Sequence, residues 1–144
     1  MTELSRHLSI LGLLALLCWG DVLADVVVVV DARSGVERLS QEEVINIFLG
    51  RYRKLPTGIT ALPIDQPLAG GLRAEFYRKL ADKDVSEINA YWARLYFSGK
   101  TRPPLQANSA SEVLAHVLGN PGGVGYLERS QADARVRIVL SFSP

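Results

Sequence analysis

Val26 to Val30 is an unbroken run of valine set between Asp25 and Asp31, and it constrains this chain more than any other feature. β-Branched side chains are stiff at χ1 and pack well on an extended, pleated backbone. A run with no polar alternation has no face to offer to water, so the strand it forms is buried on both sides. That is the pattern of a strand at the centre of an α/β sheet covered by helices.

The rest of the chain supplies those layers. Ser34-Gly35 marks a turn in the loop from Ala32 to Leu39. Ser40 stands three residues before Glu43, the spacing of a capping box, and Gly50 stops the helix that carries Val44, Ile45, Ile47 and Phe48. Ile59 to Ile64 reads as a second buried strand, and Asp65 to Ala69 as loop. A helix is expected over Gly70 to Asp82, with Leu72, Phe76 and Leu80 on one face and Tyr77 widening the stripe. Ser86 is placed as the cap of the next helix, in which Ile88, Tyr91, Trp92, Leu95 and Tyr96 follow the helical period and read as core. Gly99 ends it, and Pro103-Pro104 forces extended chain. Ser109 and Glu112 form another capping-box pair before Val113, Leu114, Val117 and Leu118, and Asn120-Pro121-Gly122-Gly123 is a strong turn. Val124 to Leu127 and Val136 to Phe142 read as short strands. The order strand, helix, strand, helix, helix, strand, helix, strand, strand predicts an α/β layered fold with a mixed, mostly parallel sheet.

The N-terminus belongs to a different class of sequence. Arg6 and His7 precede an apolar stretch from Leu8 to Trp19, and Val22-Leu23-Ala24 places small or β-branched residues at the −3 and −1 positions of a cut after Ala24. This is the order of a cleavable secretory signal, so residues 1–24 are expected to be removed on export to the periplasm. The apolar stretch is too short to span a bilayer, leaving no expected membrane span after cleavage. Cys18 is the sole cysteine, and Leu17 before it does not suit a lipoprotein cut. The mature 120 residues, 25–144, suit one domain and carry 15 basic and 13 acidic residues. A net charge near +2 argues against a nucleic-acid surface.

No catalytic, metal or cofactor motif is present. His116 is the sole mature histidine and lies opposite Val113, Leu114 and Val117 on its helix, so it reads as a solvated residue. There is no second histidine or cysteine for zinc, no Gly-x-Ser-x-Gly elbow and no nucleotide loop. The carboxylates are scattered, and any pairing among them would have to arise in space. These features point to binding and not to catalysis.

Two segments carry candidate function. Gln66-Pro67-Leu68-Ala69-Gly70-Gly71 runs into a helix with Arg73 in its first turn. A helix start offers unpaired N–H groups and a positive dipole end, glycines allow close approach, and an arginine adds a forked charged contact, which together suit an oxyanion. The alternative is an ordinary glycine-rich helix start with an exposed arginine. Arg51, Tyr52, Arg53 and Lys54 form a basic loop that either attracts an anion by charge or is simply solvated.

Four local patterns resemble the phosphate-binding proteins of bacterial ABC transporters. Leu39-Ser40 with Ile47-Phe48-Leu49-Gly50 looks like that family's Ile-Phe-x-Gly helix end. Phe76 lies in a helix after a Gly-Gly turn, where the family carries its anion loop. Trp92 followed by Phe97-Ser98-Gly99 is similar to its Trp…Phe-Ser-Gly helix end. Asn120-Pro121-Gly122-Gly123-Val124-Gly125-Tyr126 closely resembles its Asn-Pro-Gly-Ala-Ile-Gly-Tyr turn and strand.

The resemblance implies one lobe of a type II periplasmic-binding-protein-like fold, matching the second of the family's two lobes: a single-lobe, truncated relative. The family's anion loop reads Arg-x-x-x-Ser-Gly-Thr with a phenylalanine five residues beyond. Aligned on Phe76, Gln66 stands at the arginine, Gly70 at the serine, Gly71 at the glycine and Leu72 at the threonine. The implied oxyanion site is therefore Gln66, Gly70, Gly71, Leu72 and Arg73, with its side-chain donors lost and its backbone donors kept. The implied function is an exported substrate-binding or accessory module related to phosphate transport, with a degenerate anion loop. The alternative is a periplasmic protein-interaction or sensor-accessory domain that no longer binds phosphate. Partners on this reading are phosphate or another oxyanion held weakly, and a transporter or sensor component or a second copy of the chain.

Overall fold

A computed structural model describes residues 25–142; the leader expected at residues 1–24 lies outside the described residues. Five strands and four α-helices alternate in the expected order: β1 (Val26–Asp31), α1 (Gln41–Phe48), β2 (Leu62–Asp65), α2 (Gly71–Ala81), α3 (Val85–Ser98), β3 (Leu105–Gln106), α4 (Ala110–Gly119), β4 (Gly123–Glu128) and β5 (Val136–Ser141). A short 3₁₀ turn, Arg129–Gln131, joins β4 to β5. The sheet is mixed, in the order β3-β2-β4-β1-β5. β2 is parallel to β3 and β4, while β1 is antiparallel to both β4 and β5.

The valine run divides the core as its period of two requires. Val26, Val28 and Val30 face one cluster, with Val44, Ile47 and Phe48 of α1, Phe76, Tyr77 and Leu80 of α2, and Ile88 and Trp92 of α3. Val27 and Val29 face the other, with Ile64, Leu127 and the α4 residues Val113 and Val117. The valines are fully buried. The Leu72, Phe76, Leu80 stripe faces this sheet as expected, with Leu72 at its half-buried margin. Gly125 lets α4 sit against β4: a Cβ there would lie 2.8 Å from a methyl of Val113 and 3.0 Å from one of Val117.

Capping follows sequence with two differences. Ser40 and Glu43 form the reciprocal box, with both bonds at 3.0 Å. Ser109 accepts from the Glu112 N–H at 3.1 Å, but the Glu112 carboxylate reaches back to the N–H of Asn108. The cap of α3 is Asp84 and not Ser86: its carboxylate accepts from the Glu87 N–H at 3.0 Å, while Ser86 sits inside the helix and donates its hydroxyl to Asp84. A carboxylate three residues before Glu87 wins because it is the stronger acceptor for an uncapped N–H. β2 is also shorter at its start than Ile59–Ile64, since Thr60 makes only an isolated bridge to Lys54 and Ile59 is exposed.

β2 connects to β3 through α2 and α3 on one face, and β3 connects to β4 through α4 on the other. β3 and β4 flank β2, so the chain changes faces there. Open α/β sheets place a crevice outside the carboxyl ends of strands at such a switch.

Candidate functional site

A cleft of about 420 Å³ occupies that position, with Asp65 from the end of β2 and Gln106 from the end of β3 on its floor. Arg73 and Asn89 add polar groups, and Leu68, Trp92, Tyr96, Phe97 and the two prolines Pro103 and Pro104 form apolar walls.

Asp65 organises the floor. Tyr77 donates its hydroxyl to Asp65 Oδ2 at 2.9 Å, and Arg73 Nε donates to the same oxygen at 3.1 Å. Tyr126 donates its hydroxyl to Oδ1, as does the Gln66 N–H at 3.1 Å. Asp65 and Arg73 are each only 4% exposed, so this is a buried ion pair. The arginine's other end donates from Nη2 to Asn89 Oδ1 at 3.1 Å, and its guanidinium stands 5.3 Å from the Tyr77 ring centre. Burial pushes both tyrosine hydroxyls well above their ordinary range, and the neighbouring Asp65 charge pushes them further. Both therefore stay protonated and serve as donors to the carboxylate.

The structure places each residue of the sequence-derived site as follows. Gln66 is buried; its amide donates to the Tyr126 carbonyl at 2.7 Å. Gly70 is the N-cap of α2, makes no side-chain cap, and uses its own N–H on the Pro67 carbonyl at 3.1 Å. Gly71 opens the helix and is exposed, with open space where a Cβ would stand. Leu72 turns toward the core. Arg73 turns inward onto Asp65 instead of outward from the first turn. Gln66 and Arg73 are thus brought together, but on Asp65. The sequence reading missed Asp65, Tyr77, Tyr126 and Asn89 as parts of this group, because they come from four separate elements with no common spacing.

Two other sequence-based placements change. Tyr96 and Phe97 are 71% and 89% exposed, so Tyr96 belongs to the rim of the cleft and not to the core; Trp92 is buried and Tyr91 half-buried. His116 is half-buried on α4, 3.7 Å from Glu112. Among the described residues no group of three side chains is arranged to hold a metal, and no helix is long and apolar enough to cross a membrane.

No family model and no curated protein sequence matches the chain. Solved structures do. An ABC-type phosphate transport receptor from Vibrio cholerae superposes with a TM-score of 0.64 at 20% identity, over 81% of this chain and 47% of that one. A Clostridium perfringens protein assigned as a phosphate ABC transporter substrate-binding protein, with bound phosphate, superposes with a TM-score of 0.64 at 15% identity, over 81% of this chain and 44% of that one. The chain therefore has the α/β fold of phosphate ABC-transporter receptors, over less than half the length of each.

Proposed function

We propose that this chain is an exported, phosphate-binding-like module that works by binding and not by catalysis. Residues 1–24 direct it to the periplasm and are cut after Ala24. The remainder acts as a single-lobe relative of the receptors, serving as a substrate-binding or accessory component of phosphate transport. Mass spectrometry of the exported form tests this part of the reading: a start at Asp25 supports it, and an intact Met1 or a lipid on Cys18 refutes it.

The observation that carries the binding half is the start of α2, which opens without a side-chain cap beside the cleft in a phosphate-receptor fold. The N–H groups of Gly71, Leu72 and Arg73 and the helix dipole suit a small oxyanion. The side chains add little. Arg73 is neutralised by Asp65, the Gln66 amide is spent on Tyr126, and Leu72 faces the core. Backbone donors alone, open to water on one side, support a dissociation constant of about a millimolar, or roughly −4 kcal/mol. Phosphate titration followed by amide NMR is the test. Saturable shifts at Gly71, Leu72 and Arg73 in that range are expected. A submicromolar constant, or shifts that leave those amides unmoved, would refute this site.

A second reading is a protein-interaction or sensor-accessory domain. It is favoured by the exposed rim of the cleft, where Leu68 is 63% exposed beside Tyr96 and Phe97. Aromatic side chains supply large contact area when a partner covers them. On this reading Phe97→Ser abolishes association with a transporter or sensor component, or with a second copy, and leaves the phosphate shifts unchanged.

A further inference from the structure

A second concavity, of about 440 Å³, adjoins the cleft at Pro103 but has the opposite chemistry. Arg53, Lys100 and Arg102 line it, together with the hydroxyl-bearing Tyr52, Thr60 and Thr101. Its cations come from two segments, 50–53 and 99–103, which together with Thr60 to Pro63 make most of the lining; Arg53, Lys100 and Arg102 are the charged residues there, and no acidic residue lines it. The ion pairs among the described residues engage Arg33, Arg73, Lys79, Lys83, Arg129, Arg135, Arg137 and, when protonated, His116, and none of these three.

The walls are tied together. Arg53 Nη2 donates to the Lys100 carbonyl at 2.7 Å, and the Ala61 N–H donates to the Arg53 carbonyl at 2.9 Å. Gly50, at φ +73°, lets the second segment seat: a Cβ there would lie 2.7 Å from Thr101 Oγ1 and 2.9 Å from the Trp92 ring. The Arg53 side chain and the close seating of Thr101 over Gly50 therefore set the spacing of the two basic segments. Like charges gathered without counter-charges raise the energy of the folded state, and a bound anion relieves this. A single small anion meets one wall; an anion with two or more charged groups reaches both. The volume is that of a small-molecule site.

We propose that this groove binds a small multivalent oxyanion carrying two or more phosphate or carboxylate groups. The site is independent of the start of α2. The experiment is calorimetric titration of the purified protein with tripolyphosphate and with citrate, at low and physiological salt, with inorganic phosphate for comparison. At least one multivalent probe is expected to bind roughly tenfold or more tightly than phosphate, and which of the two does so identifies the charged group. Arg53→Gln and Arg102→Gln should each weaken it by about threefold or more, whereas Arg78→Gln, an exposed cation on α2 outside the groove, should not. Arg102→Gln leaves the Arg53 tie intact, so a folding defect in the first variant does not remove the test. Amide shifts should fall on residues 52–54 and 100–102 and spare 71–73, which separates this site from the phosphate site proposed above. If neither probe outbinds phosphate, or if Arg78→Gln weakens binding as much as Arg102→Gln, the groove is not a site.

Discussion

Arg73→Met removes the cation from the buried floor of the cleft and keeps an unbranched side chain of similar length. In the native protein the Arg73 and Asp65 side chains are 5% and 6% exposed and meet at 3.1 Å. Without the guanidinium, Asp65 keeps the hydroxyls of Tyr77 and Tyr126 and the Gln66 N–H, but no positive charge. Breaking a buried pair by removing one partner costs about 3–5 kcal/mol, and three surviving hydrogen bonds place this case at the lower end. Loss of the contact with the Tyr77 ring adds about 0.5–1 kcal/mol. The expected loss is about 3–4 kcal/mol, equivalent to a fall in Tm on the order of 10 °C or more. Urea unfolding followed by fluorescence of the buried Trp92 measures it. Adding Asp65→Asn removes the stranded charge and should restore part of the loss. A deficit below about 1 kcal/mol, or a double variant no more stable than Arg73→Met, would show that the pair is not an isolated buried charge pair.

Two further outcomes follow from the same core. Phe76→Ala should cost about 3–5 kcal/mol in urea unfolding, since the ring is fully buried, stacks on Tyr126 at 3.7 Å and meets Phe48 edge-on at 5.0 Å; a loss below about 1 kcal/mol contradicts this packing. Tyr77 and Tyr126 hold their protons to higher pH when folded than when unfolded, so their stabilisation is complete below the ordinary tyrosine value near 10 and declines above it. Each should contribute a slope of about 1.4 kcal/mol per pH unit there, and Tyr77→Phe should reduce the wild-type slope by that amount; an unchanged slope refutes the assignment.

What was legible in the sequence was local or periodic. The valine run, the Leu72, Phe76, Leu80 stripe and the Ser40–Glu43 box each depend on neighbours within a turn or two, and each stands as read. Tyr96 followed the same period but emerges at the end of α3 on the cleft rim, where no layer covers it; periodicity gives the face of a helix and not the extent of what packs on it. Arg73 looked like an exposed cation because its partner is eight residues away on β2 and the supporting tyrosines come from α2 and β4. The basic loop was visible as composition, but its joining to residues 100–102 depends on a hydrogen bond spanning 47 positions.

The placement of β1 has a consequence for how the chain reaches its native state. The strand lies between β4 and β5, pairing Val26 with Glu128 and Val27 with Ser141. Both neighbours come from the far end of the sequence, so the central valines stay unsealed until nearly the whole chain is available. Contacts of such separation form late and fold slowly, because the closure entropy precedes the gain. The most apolar strand among the described residues is therefore the last to find both its partners. The same delay leaves five consecutive valines open to mispairing, which makes β1 the segment most exposed to aggregation until β4 and β5 are in place.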